Sequence, residues 1–508
     1  MNRRGMIGQK LVTGLPGTEI TEEFRHLVRE YKVGNVILFQ RNVESARQLR
    51  RLCDEIQELI QNETGLPAFI TIDQEGGMIN RLCAPMALIP GAMALAATDD
   101  PQNAYDAGFL CGKELKRCGV NFNLSPVMDV NNNPQNPIIG ARSYGDAPAS
   151  VARFGCEMVR GLQDAGVYAC LKHFPGHGDT AVDSHLGLPC IDKSMDELRQ
   201  CELIPFSEGI RAGVRGVMTT HILFPQIEKS GVPATMSRTI LQGILRDELG
   251  FNGLILSDCM MMQAISSHYG TVPGACAAAK AGVDLIFICH DNALTAEACE
   301  AIDKELPEEE LIASFERIQS AKTALPRSGP EPLEGNEEYL RRVRVMCEDS
   351  ITRADQLPGP LPELGQNPLF VGCKSMGKAL VFNQEADFAY LPDLLKNRLG
   401  GDALNLSNEP TSEDRARALS LLPGHSAVVV STFNAHLHKE QQALLEAIRG
   451  AAEVPVLIAA LRDPYDLTGW TEKAYCLAAY DYTPDSLRAV CRVLAGEIEP
   501  RGKLPIRI

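Results

Sequence analysis

VYACLKHFPGHGDTAVDSH, from Val167 to His185, starts as an unbroken apolar run and turns polar at Lys172. A β-branched and apolar run of this length reads as a strand buried on both faces. The prolines and glycines that follow cannot continue it, so the chain after His173 is a loop. The pattern recurs in VGNVILF from Val33, LPAFITID from Leu66, VNFNLSPVMDV from Val120, GVMTTHI from Gly216, GLILSDC from Gly253 and DLIFIC from Asp284. With IGQKLVTGL near the start, that makes eight runs.

Helix-like stretches separate these runs. In VESARQLRRLCDEIQELI, Val43, Ala46, Leu49, Leu52, Cys53, Ile56, Leu59 and Ile60 recur at about 3.6 residues. Eight parallel strands alternating with helices suit an α/β fold, a (β/α)8 TIM-like barrel, with a doubly wound open sheet as the competitor. The barrel is favoured by where the polar residues fall. Asp73, Asp129, Lys172, His173, His221 and Asp258 each end an apolar run, which is the rim where barrel enzymes carry their chemistry.

The texture changes after residue 325. LPRSGPEPLEGNEE reads as a linker and EEYLRRVRVMCEDSITRA as a helix. FVGC, HSAVVVSTF, PVLIAAL and YCLAAY then alternate with helical stretches in a second, smaller α/β/α sandwich domain. The expected division is a catalytic barrel over 1–325, a linker and connecting helix over 326–366, and the sandwich over 367–508. In the sandwich, LRDPYDL and the single Trp470 stand out.

Composition narrows the function. The chain has 508 residues, 45% of them hydrophobic, and 49 Lys plus Arg against 65 Asp plus Glu, a formal charge of -16. That balance, with no basic tract, disfavours nucleic acid. No run is long enough to span a bilayer and MNRRGMIGQKLVTGL lacks a signal-peptide core, so the expectation is a cytoplasmic protein without a membrane partner. The sixteen cysteines are scattered through apolar segments without a CxxC, as reduced buried thiols would be.

Three readings of the loop from Lys172 to His185 are open. His177, Asp179, Asp183 and His185 resemble a divalent-metal ligand set. All of them could equally be solvated loop residues. In the third reading, Asp183 orients and charges the His185 imidazole, which then donates a proton to a leaving oxygen. That reading needs an opposing nucleophile, and Asp258 in LILSDCMMMQAI is the candidate. The three methionines after it read as helix-core filler.

IDQEGG (72–77), GARSYG (140–145), KHFPGHGDT with DSHLGLP, MTTHI with PATMS, and LRDELGFNGLILSDCMM occur in order over about 290 residues. Together they resemble glycoside hydrolase family 3, specifically its β-N-acetylglucosaminidases of the cell-wall-recycling type, and GEIEPRGKLPIRI resembles the end of the sandwich domain many members carry. The resemblance implies Asp258 as nucleophile, His185 with Asp183 as acid/base dyad, and Asp73, Arg81, Arg142, Lys172 and His173 as substrate-binding residues. One departure is EGGMI at Glu75–Ile79, where many members have EGGRV; an arginine contact is absent.

The implied activity is retaining removal of terminal β-linked GlcNAc through a covalent glycosyl-enzyme. The partners would be small β-GlcNAc-terminated saccharides, such as GlcNAc-MurNAc wall fragments or chitin oligomers, with no cofactor and no metal. Other readings are a GlcNAc phosphorylase on the same scaffold, a metal-dependent hydrolase using His177, Asp179 and His185, and a non-catalytic sugar-binding module. Phosphate dependence separates the first, a chelator the second and turnover the third.

Overall fold

A computed structural model describes residues 1–180, 187–326, 336–374 and 390–508. Eight short parallel strands form the first sheet: β1 (Leu11–Gly14), β2 (Asn35–Leu38), β3 (Phe69–Ile72), β4 (Phe122–Asn123), β5 (Cys170–Phe174), β6 (Gly216–Thr219), β7 (Leu254–Cys259) and β8 (Leu285–Ile288). Their order is β4-β3-β2-β1-β8-β7-β6-β5, and two isolated parallel bridges, Phe122 to Tyr168 and Val127 to Lys172, join the two ends. The result is the barrel expected from the alternation, not an open sheet.

Side chains fill its interior. Phe69, Phe122 and Tyr168 meet edge to face or tilted, with centroids 5.5 to 6.3 Å apart, among Val12, Ile37 and Leu254. The surrounding helices cover the outer faces of the strands. Ala46–Thr64 is typical: the Ser45 hydroxyl accepts from the Gln48 amide at its start, Gly65 at φ 76° ends it, and Leu49, Leu52, Cys53, Ile56 and Ile60 make its buried stripe.

The second sheet contains β9 (Thr352–Arg353), β10 (Leu369–Lys374), β11 (Asp402–Ser407), β12 (Val428–Thr432), β13 (Val456–Ala460) and β14 (Tyr475–Ala478). Its order is β11-β10-β12-β13-β14-β9, parallel except for β9, which runs antiparallel to β14. Alternate residues go to opposite faces. Phe370, Val429, Leu457 and Leu477 pack in one apolar cluster with the helices Leu391–Leu399 and Pro484–Leu494. Val371, Val430 and Ile458 pack in another with the helix Lys439–Ala451.

β11 and β9 were not legible as strands, and β9 lies in the segment read as a connector. Most of the linker LPRSGPEPLEGNEE lies outside the described residues, but the helix expected after it is present as Glu337–Ser350. It packs against the helices Ala92–Ala97 and Pro484–Leu494. All sixteen cysteines are free. Among the described residues no helix is long and apolar enough to cross a membrane.

Candidate active site

The rim at the C-terminal ends of the strands holds a cavity of about 320 Å³, walled in part by Asp73, Arg81, Arg142, Lys172, His173 and Asp258. Six of the expected site residues therefore share one cavity. Asp73 follows β3 directly, and Lys172 and His173 lie within β5. The buried Lys172 ammonium reaches Asp73 Oδ1 at 2.8 Å and Glu75 Oε1 at 2.6 Å. Arg142 grips Glu75 with two parallel bonds, Nε to Oε2 at 2.9 Å and Nη2 to Oε1 at 2.8 Å.

Burial alone would raise the Glu75 carboxyl. The Arg142 guanidinium and Lys172 ammonium outweigh it and hold the group well below the usual carboxylate range. Burial likewise works against the Lys172 ammonium, and Asp73 and Glu75 more than restore it. The wall is thus a fixed array of alternating charges that presents polar groups to the cavity.

Two positive-φ glycines shape the turn after β3. A Cβ on Gly76 (φ 94°) would sit 2.6 Å from the Pro90 carbonyl oxygen, and one on Gly77 (φ 56°) 2.8 Å from the Gly91 Cα. Gln74 ties the turn back, its Oε1 accepting from the Arg81 amide at 2.7 Å, which sets Arg81 at the cavity. Met78, standing where relatives of the expected family carry arginine, is buried in the same apolar cluster as Tyr480 and Ile506 of the second domain. At this position the side chain contributes to packing between the two parts of the chain.

Asp129 is completely buried. Its carboxylate accepts from the His173 Nδ1 at 2.7 Å, from the His173 amide at 3.2 Å and from the His177 amide at 2.6 Å. Burial raises this carboxyl, but the adjacent His173 overrides that and lowers it. The bond to Nδ1 assigns the proton to that nitrogen. His177 is also buried, and burial, with His173 beside it, pushes its imidazole down to about 4.

Asp258 ends the regular part of β7, where its Oδ1 accepts from the Cys259 amide at 2.6 Å. His221, expected at the rim, follows the C-terminal end of β6 by two residues and is buried. Its Nδ1 meets Thr235 Oγ1 at 2.9 Å and its Nε2 the Cys259 carbonyl oxygen at 3.1 Å, so it braces the strand end. Met260 is core, as expected, but Met261 and Met262 help wall the cavity. The expectation of helix filler fails for those two because β7 runs on through Cys259 and the methionines fall on the turn beyond it, before the helix Gln263–Ser266 begins.

Asp183 and His185, the expected acid/base pair, lie outside the described residues. Of the alternative metal set, Asp179 is engaged by Lys193, Nζ to Oδ2 at 2.7 Å. Among the described residues no group of three or more His, Cys, Asp or Glu is placed to hold a metal ion. Two charged residues of this region were not singled out from sequence as site residues: Glu75 of the array, and Asp129 as the anchor of His173. The signal for Glu75 was present, since the side chain two residues after a strand-end aspartate, in a glycine turn, points back to the same rim.

The sequence pattern described as Glycosyl hydrolase family 3 N terminal domain matches residues 6–321. Beta-hexosaminidase A of Pseudoalteromonas piscicida is 37% identical over 338 residues, which take in 61% of this chain and 56% of that protein. A solved family 3 β-N-acetylglucosaminidase from a Paenibacillus species superposes with a TM-score of 0.93 at 36% identity, covering 100% of this chain and 99% of that one. NagZ from Neisseria gonorrhoeae, solved with N-trifluoroacetyl-D-glucosamine, gives a TM-score of 0.58 at 28% identity, covering 67% of this chain and 97% of the shorter relative. This chain belongs to glycosyl hydrolase family 3.

Proposed function

We propose that the protein is a retaining exo-β-N-acetylglucosaminidase that removes non-reducing terminal GlcNAc from short β-linked saccharides, with GlcNAc-MurNAc wall fragments as its substrates. The observation that carries the reading is the size and lining of the rim cavity. At about 320 Å³ it stands at the lower end of the roughly 300–1,000 Å³ of ligand sites. Room for one sugar ring, with Asp258 in one wall and the Asp73, Lys172, Glu75 and Arg142 array in another, suits an enzyme that takes a chain end.

In this reading the array and Arg81 hold the hydroxyls and acetamido group, and Asp258 attacks the anomeric carbon as the glycosidic bond breaks. His185, supported by Asp183, protonates the departing oxygen and then removes a proton from the water that releases the sugar. The usual pair is two carboxylates. An imidazole titrates near neutrality without needing its pKa raised, so it can serve as the acid at neutral pH. The names of the hexosaminidase relatives support the GlcNAc preference, and the wall-fragment substrate follows from the resemblance of the motifs to recycling enzymes.

The test is an assay of aryl β-glycosides of GlcNAc and glucose, with and without phosphate, on native protein and Asp258→Asn. Hydrolysis of the GlcNAc substrate without phosphate is expected, and a loss of about 10⁴-fold or more in the variant with its fold retained. Turnover that requires phosphate would make the protein a phosphorylase. Activity in Asp258→Asn within about tenfold of native would remove Asp258 as nucleophile.

A further inference from the structure

LRDPYDL and Trp470, which the rim chemistry leaves unused, meet the barrel on the far side of the segment 131–138. Asn136 in that segment donates to the His177 and Gly178 carbonyl oxygens at 2.8 and 2.9 Å, and Ile138 walls the rim cavity. From the other side, the Tyr465 hydroxyl donates to the Asn131 carbonyl oxygen at 3.3 Å and Arg462 Nη2 to that of Pro137 at 3.4 Å. Pro134 and Gln135 wall a second cavity of about 490 Å³, completed by residues of the second domain. The segment is a partition with a cavity on each side.

The second cavity combines an aromatic surface with a few fixed polar groups. Trp470 lines it while also packing against the apolar cluster of the second sheet, and the Lys473 ammonium lies 5.8 Å from the centre of its ring. His436 also lines it. Its Nδ1 is held by Asp466 Oδ1 at 2.7 Å, whereas its buried Nε2 has no hydrogen-bond partner among the described residues. Lys473 and Arg507 are balanced by Asp466 and Glu446, so the lining does not select an anion.

We propose that this junction cavity is a second carbohydrate site, which takes a neutral saccharide unit with one face on the Trp470 indole and its hydroxyls on the polar groups around His436. An amphipathic aromatic beside convergent donors and acceptors, at a junction of domains, matches the two-faced chemistry of a pyranose. The choice of a sugar as ligand rests on the activity proposed above. The site itself is separate from the catalytic cavity, and its occupant bears on the partition that carries Asn136.

Because Trp470 is the only tryptophan in the chain, its emission reports this cavity alone. The experiment titrates full-length Asp258→Asn, which cannot turn over, with chitotriose, and follows emission and calorimetric heat. A saturable change in emission and a binding event beyond the catalytic one are expected, with sulfate giving neither. Trp470→Phe should weaken that second event about tenfold or more and leave turnover of the aryl GlcNAc substrate at the native level. His436→Gln should weaken it too, which keeps the test alive if the tryptophan variant misfolds. No emission change with chitotriose, or a single binding event in both proteins, would overturn the proposal. Neither readout needs turnover, so failure of the catalytic assay and failure here are distinguishable.

Discussion

Arg142 and Lys172 put two positive charges into a buried wall, and Glu75 lets both remain there. Removing one partner of such a pair strands a charge at a cost of about 3–5 kcal/mol, so the array is rigid as well as polar. His177 shows the opposite economy. Its imidazole is kept neutral by burial, at about 4 against an ordinary 6.5, so between those values the unfolded chain binds a proton that the fold refuses. Stability from this group is intact above pH 6.5 and falls as the pH drops toward 4. Glu75 and Asp129, whose carboxyls are lowered, lose their contribution only at more acid pH. Urea unfolding at pH 7 and pH 4.5 should therefore show about 2–3 kcal/mol less acid destabilisation in His177→Asn than in native protein. An equal loss in both would mean that His177 is not the titrating group. The strand-end residues Asp73, Lys172, His173 and Asp258 were legible because each interrupts an apolar run. Glu75 was less so, because its role depends on a turn whose direction two glycines decide.

At the scale of the elements, the turn after β5 is closely packed at Gly178. A Cβ on Gly178 would lie 1.6 Å from the Val130 carbonyl oxygen, a backbone atom that cannot turn aside. Gly178→Ala must lift the loop, and with it the His177 amide from Asp129 and both carbonyls from Asn136. Displacement of about 1 Å near a reacting group can cost about 10²-fold, so kcat/KM should fall on that order while the protein stays folded. Native kcat/KM with an unchanged melting temperature would show that the loop does not position the site. The strands themselves were readable because parallel strands buried on both faces are continuously apolar. β11 escaped notice because it is an edge strand with exposed alternate residues, DALNLS, and β9 because two residues carry no pattern. Sequence does not show that the methionines after Asp258 form a turn between β7 and the helix Gln263–Ser266.

At the scale of the whole molecule, the sequence presents two α/β patterns and a linker, as if the parts were independent. Their cores are not separate. One apolar cluster joins Leu95 and Leu110 of the first part to Ile351, Phe370, Val429 and Leu477, and another joins Met78, Met93 and Ala141 to Val371, Ile458 and Tyr480. Polar bonds follow the same boundary: the Gly91 amide to Asp481 Oδ2 at 3.3 Å, the Arg507 amide to Asp146 Oδ2 at 3.0 Å and the Lys503 amide to the Ala97 carbonyl oxygen at 2.8 Å. Side chains from both halves fill these contacts, which is why neither half shows them alone. Domains move independently by default, except across a large apolar interface, and this boundary is of that kind. Calorimetry should accordingly give one unfolding transition, and catalytic activity should disappear over the same temperature range. Phe370→Ala, a change within the second sheet, should destabilise the protein by about 3–5 kcal/mol and shift that single transition as a unit, so that the rim site fails at the lower temperature as well. Two resolved transitions, with activity following only the one that Phe370→Ala leaves in place, would show that the barrel stands without its neighbour.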